Sequence, residues 1–242
     1  MTVARPRAML LGFLVLLICG AAALALIPRD GREMPPRSEA DKPVLMVVTT
    51  LPLLFPEGFT LEGSGSLALT ALETRYRVVP VATTSAESLK EGRLLLMAHP
   101  LAQTAEALVD LDNWVRAGGR VMLLADPKLD WPSERPLGDK LRPPPAFADT
   151  GLLKHWGLSL HPPTQSGPQP RELAGRQILT ASPGSLTGSC ETEDDGFLAR
   201  CRIGRGRVTV VADVDLLNVE QLEGTTDSNL DALLAELNQL ER

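Results

Sequence analysis

Arg93 to Pro127, RLLLMAHPLAQTAEALVDLDNWVRAGGRVMLLADP, constrains the fold of this chain more than any other stretch. It holds two short apolar runs with a helical pattern and a Gly-Gly pair between them. Thr104 stands where a helix N-cap is wanted. Leu108, Leu111 and Val115 then share one stripe, with Ala107 and Trp114 beside it, and Asp112 and Arg116 are spaced as an i,i+4 ion pair. Gly118-Gly119 supplies a left-handed residue to end the helix at about Ala117. Such a strand–helix–strand unit predicts parallel strands joined by a right-handed crossover.

The rest of the chain extends that reading. Val44–Thr50 and Val121–Ala125 are apolar without alternation, as in strands buried on both faces. The run Gly206–Asp213, GRVTVVAD, reads as a buried strand too. Tyr76–Thr83 reads as a strand that Pro80 demotes to an edge. Residues 66–75, 150–157 and 228–242 carry helical patterns; in the last, Leu230, Leu233, Leu234 and Leu237 form the apolar face. Residues 128–149 read as a long Pro-rich loop, of the kind that serves as a lid or contact loop. Residues 164–176 read as irregular. The expectation is one α/β domain over 44–242, an open, mainly parallel sheet with helices on both faces and a hairpin near the C-terminus.

Ala8–Ile27 contains no charged residue in 20 positions, just enough helix to span a bilayer core. Arg5 and Arg7 precede it, which favours a cytoplasmic N-terminus over residues 1–7. The segment is expected to be an uncleaved anchor in the plasma membrane, followed by a linker at 28–43 and a domain on the far side. A cleaved signal is the alternative, since Ala23-Leu24-Ala25 resembles a peptidase site. Cys19 follows Ile18, where a lipid-anchor motif wants a small residue. Beyond residue 27 the chain has 22 basic and 30 acidic residues, a net of −8. That balance speaks against nucleic acid as a partner.

Cys190 and Cys201 flank a hairpin pattern, GSCETEDDGFLARC. A turn centred on Asp195-Gly196 sets them opposite each other and Glu191 opposite Arg200. A disulfide there suits an oxidising compartment. A two-residue turn makes the cysteines a hydrogen-bonded pair, and a four-residue turn makes them the closer, non-hydrogen-bonded kind.

Five pieces in order resemble the periplasmic-facing auxiliary domain of ABC-type transport systems, as in gliding-motility-associated auxiliary proteins. They are AHP at 98–100, LDNWVRAGGRVMLLADP at 111–127, LLKHWGLSL at 152–160, GRGRVTVVADVDLLN at 204–218 and NLDALLAELNQL at 229–240. The resemblance implies a flavodoxin-like fold of the class I glutamine amidotransferase type. It also implies a membrane-tethered accessory role beside ABC permease or ATPase subunits or other inner-membrane proteins. This chain differs from longer members in having one apolar segment, at its N-terminus.

Ligands of open parallel sheets bind beyond the strand carboxyl ends. The residues expected there are Thr49, Thr50, His99, Asp126, Asp213 and Asp215, with Trp131 on the neighbouring loop as a partner contact. No cysteine follows a parallel strand and no G-x-S-x-G elbow exists, so an amidotransferase or serine hydrolase is not expected. Asp126, Asp213 and Asp215 with His99 are capable of holding a metal. Turn and helix caps explain the aspartates more simply. His99 precedes Pro100 and is expected to be extended. The sequence thus predicts no catalytic residue, metal or cofactor, with a metal-assisted hydrolase or a small-ligand sensor as the alternative.

Overall fold

The computed structural model describes residues 34–55 and 65–242. The 1–7 and 8–27 expectations lie outside them, as does the first part of the 28–43 linker. Among the described residues, no helix is long and apolar enough to cross a membrane.

The centre is a seven-stranded sheet. Its parallel part comprises β1 (Val44–Thr49), β2 (Arg77–Pro80), β3 (Leu94–Ala98), β4 (Arg120–Leu124) and β11 (Gly206–Val211). β9 (Glu191–Glu193) and β10 (Leu198–Ile203) extend it antiparallel, in the order β2-β1-β3-β4-β11-β10-β9. The fold is therefore mixed α/β with a mostly parallel sheet, and Pro80 sits on the edge strand where its missing N–H is harmless.

Helices cover both faces. Leu45, Val47, Leu96, Met122 and Val211 point to one side, against α1 (Leu67–Glu73) and α4 (Asn229–Glu241). Met46, Val48, Leu95, Met97, Val121 and Val210 point to the other, against α2 (Ala105–Arg116) and the short α3 (Leu152–His155). The period of two thus feeds two cores, which is why the strands read as unbroken apolar runs. The Thr104 hydroxyl caps α2 by accepting from the Ala107 N–H at 3.3 Å, and Gly118 takes φ +116 behind it. The Asp112–Arg116 pair forms at 2.6 Å, and Asp112 also accepts from Trp156 Nε1 at 3.0 Å, tying α2 to α3.

Two expectations need correction. Residues 164–176 are not irregular: β6 (Pro168–Leu173) pairs with β7 (Arg176–Ala181) in a separate antiparallel ribbon. Pro168 and Pro170 disguised it, but they are two residues apart, so both lack their N–H on the same side of an edge strand. Residues 34–43 are not free linker either. Arg37 donates to Glu241 at 2.9 Å and lies 5.2 Å from the Tyr76 ring centroid, while Arg75 donates to the Pro35 carbonyl at 2.5 Å. A second small ribbon pairs β5 (Leu158–His161) with β8 (Ser185–Gly188).

The Cys190–Cys201 disulfide is present, with Glu191 opposite Arg200. Leu198 pairs with Glu193, so four residues turn the hairpin. The cysteine Cα atoms are 4.9 Å apart, nearer the close-pair spacing of about 4.5 Å than the hydrogen-bonded spacing of about 5.5 Å. Cys190→Ser with Cys201→Ser should lower the unfolding free energy by about 2–4 kcal/mol. Denaturant unfolding of both proteins without reductant checks this; reductant should remove the difference.

Candidate functional site

The register of β4 and β11 builds the site. Leu124 pairs with Val211, so continuing each strand by two residues sets Asp126 beside Asp213. Asp215 follows on the 3-10 turn Asp215–Leu217. Each of the three offers a ligand-capable oxygen, and these lie within 4.8 Å of one another. All three residues are at most 1% exposed.

The capping expectation accounts for half of each carboxylate. Asp126 Oδ1 accepts from the Lys128 N–H at 2.7 Å, an Asx-type turn before the loop. Asp213 Oδ1 accepts from the Thr180 hydroxyl and from the Leu216 N–H at 3.3 Å. Asp215 Oδ2 accepts from the Asp130 N–H at 2.9 Å. The second oxygens, Asp126 Oδ2, Asp213 Oδ2 and Asp215 Oδ1, are buried without a hydrogen-bond partner. The Val214 N–H eases the Asp126 charge from outside hydrogen-bonding geometry.

Burial first, and the charges of neighbouring aspartates after it, raise the affinity of these groups for protons. Asp126 is pushed up to about 7, chiefly by burial. Asp215 is pushed up to about 8 by burial and next by the Asp126 charge. Asp213 is driven well above the usual carboxylate range by burial and by the charges of Asp126 and Asp215. Lys128 softens this only partly, since its ammonium is engaged by Ser166 Oγ at 3.0 Å, Ser182 Oγ at 3.1 Å and Asp130 at 3.5 Å.

His99 does not join the group. Its Nε2 donates to the Pro144 carbonyl at 2.8 Å, which leaves Nδ1 as the bare nitrogen, buried and without a partner. Burial lowers its pKa, so the ring is neutral at physiological pH. Its backbone is not extended: φ is +49, held by its N–H on the Leu124 carbonyl (3.0 Å) and the Thr50 hydroxyl on its own carbonyl (2.6 Å). Thr49 is used locally, accepting from the Leu51 N–H at 3.0 Å. Trp131 folds back against the first core, and Phe147 against the second.

The 128–149 loop thereby closes the strand edge. Besides Pro144 on His99, the Phe147 N–H bonds the Asp126 carbonyl at 2.6 Å and the Leu129 N–H bonds that of Pro145 at 3.0 Å. Three oxygen donors of this kind suit a hard cation.

Sequence reasoning missed two buried polar clamps on α4. The Asn229 side chain accepts from Leu179 N and donates to the Leu179 and Leu216 carbonyls. Glu236, 1% exposed, takes Arg200 in a two-point bond at 3.0 and 2.6 Å and the Thr209 hydroxyl at 3.1 Å. Their spacing was the available signal, since both fall on the stripe of Leu233, Leu237 and Leu240.

No family model and no curated protein matches this chain. Among solved structures, it is similar to the exo-β-1,4-mannosidase Op5Man5 from Opitutaceae bacterium strain TAV5, at 14% identity and TM-score 0.49 over 81% of this chain and 36% of that one. A cytoplasmic protein of Salmonella typhimurium gives 10% identity and TM-score 0.49 over 82% and 98% of the two chains. A ThuA-like protein from Bacteroides uniformis gives 11% and 0.44 over 88% and 94%. The chain spans about a third of the length of the glycosidases it matches. Likenesses this distant assign no function, and the architecture stands on the strand order itself.

With divalent cations chelated, the raised values fix a direction for stability against pH. A raised carboxyl pKa favours the protonated folded form, so its contribution is complete below the unfolded value of about 4. It is lost as pH rises through about 7 and 8, the values for Asp126 and Asp215. Urea midpoints should therefore fall between pH 4 and pH 8 in the presence of chelator, and Asp213→Asn should make the fall shallower.

Proposed function

We propose that this chain is a membrane-tethered, non-enzymatic accessory domain that acts by binding protein partners on the periplasmic side of the inner membrane. Its partners would be components of an ABC-type transport system. The observation that carries the reading is the closed strand edge. The place where an open α/β sheet admits a ligand is covered by the 128–149 loop, and its polar residues are turned inward. The parallel order β2-β1-β3-β4-β11 corresponds to the 2-1-3-4-5 order of flavodoxin-like sheets. The switch point between β1 and β3 is bridged by Thr50 and His99. This agrees with a flavodoxin-like, glutamine amidotransferase-type scaffold used without its chemistry.

The covering loop has its own outward features. Leu137 is 89% exposed and Leu141 67%. Leu129, Trp131, Leu137, Arg142 and Pro144 line a cleft of about 310 Å³ beside them. Exposed leucines next to a proline-walled cleft are the marks of a contact surface. The charge-free run at 8–27 and the disulfide fit an exported, anchored domain. A metal-assisted hydrolase built on the aspartates is the rival, but it would need a substrate route to groups that are at most 1% exposed.

Affinity purification of the tagged full chain in mild detergent, with mass spectrometry of the co-purifying proteins, tests this. An ABC permease or ATPase should be recovered with the native protein and lost with Leu137→Asp/Leu141→Asp. Both leucines are solvent-facing, so the variant should melt within about 2 °C of the parent. Recovery of the native protein alone would overturn the proposal.

A further inference from the structure

We infer that Asp126, Asp213 and Asp215 form a binding site for one hard divalent cation, which joins the covering loop to the sheet edge. The acidity of the cluster is not the argument. Each carboxylate has one oxygen fixed by donors of the protein: Lys128 N–H, Thr180 hydroxyl with Leu216 N–H, and Asp130 N–H. Each has its other oxygen buried and without a partner. Orienting bonds on one oxygen and a bare second oxygen are what ligating carboxylates show, because outer contacts aim the ligand and leave a lone pair for the ion. Three fully buried residues with the same division of labour are not explained by capping, which uses only the first oxygen of each.

Size and chemistry select the ion. The donors are all carboxylate oxygens, with no sulfur or imidazole among them, so a soft or borderline metal has no preference for the site. Calcium–oxygen distances of about 2.3–2.6 Å place ligands up to about 5 Å apart across the ion. One oxygen from each of the three carboxylates lies within 4.8 Å of the other two, close enough to share such a sphere. Magnesium, at about 2.1 Å, requires a tighter set and retains more water. Calcium is therefore the favoured ion. Two ligands stand two residues beyond the paired ends of adjacent parallel strands, and the third holds the Asp130 N–H of the covering loop. Occupancy consequently fixes the loop rather than activating a substrate, and the inference stands whether or not the partner is an ABC transporter.

The test uses the full chain in detergent, stripped of metal by chelation and exchange. Melting is followed against CaCl2, MgCl2 and MnCl2 at constant ionic strength. Calcium at about a hundred times its Kd should raise Tm by about 5–10 °C. The rise should be lost in Asp213→Asn, an isosteric change, with Asp215→Asn as the second variant if the first fails to fold. One equivalent of divalent metal per chain before stripping, by elemental mass spectrometry, would support the same conclusion. No shift with any of the three ions overturns it, and so does an equal shift in the parent and in a folded variant.

Discussion

Everything at the functional end of this molecule follows from the register of β4 against β11. Pairing Leu124 with Val211 makes the next inward positions of two neighbouring strands Asp126 and Asp213. Two carboxylates set side by side at the end of a buried sheet, with a third behind them, cannot all be charged and dry. With their oxygens within 4.8 Å and an effective dielectric of about 20, each ionised pair repels by about 3 kcal/mol or more. Desolvation adds to that. The fold therefore needs protons or a cation at this point, and other features of the edge are arranged around that need.

The covering loop makes the need acute. An open edge would let water solvate the aspartates, as in many sheets of this type. Here Pro144 meets His99, Phe147 meets the Asp126 backbone and Asp130 meets Asp215, so the loop is attached through the groups it dehydrates. Ser182 strengthens this attachment. With φ +50 it presents its hydroxyl to Lys128, to the Gly167 N–H and to Asp130, linking the loop to the β6–β7 ribbon. Loop closure and the protonation or metal state of the cluster are thus one equilibrium viewed from two ends.

Much of the scaffold was legible in the sequence because its signals are local. Unbroken apolar runs marked the doubly covered strands, Thr104 and Gly118 marked the ends of α2, and the hairpin spacing paired the two cysteines. The convergence of Asp126 and Asp213 was also foreseeable, since both end parallel strands. What could not be read is non-local. Nothing in the residues between 127 and 205 states that β11 lies directly beside β4, and without that adjacency the caps remained the sufficient explanation. The burial of the edge was hidden for the same reason, because a Pro-rich loop reads alike whether it stands off or folds down. His99 illustrates a local rule overruled: three backbone and side-chain hydrogen bonds hold φ +49 against the pre-proline preference. Asn229 and Glu236 were visible as polar residues on a leucine stripe, a pattern that signals a clamp rather than an error in the helix.

The two proposals constrain each other. A catalytic metal keeps a coordination position open to substrate, whereas a structural one is enclosed. Residues at most 1% exposed, each already oriented by donors of the protein, belong to the second kind. An enclosed ion does no chemistry, but it determines whether the segment carrying Leu137 and Leu141 is presented in one conformation or in many. For a binding surface that difference enters affinity directly, because a preordered loop loses less entropy on docking than a loose one. A buried acidic cluster beneath a loop that exposes Leu137 and Leu141 is therefore consistent with a protein whose work is recognition, with the cation acting on the shape of the surface rather than on a bond.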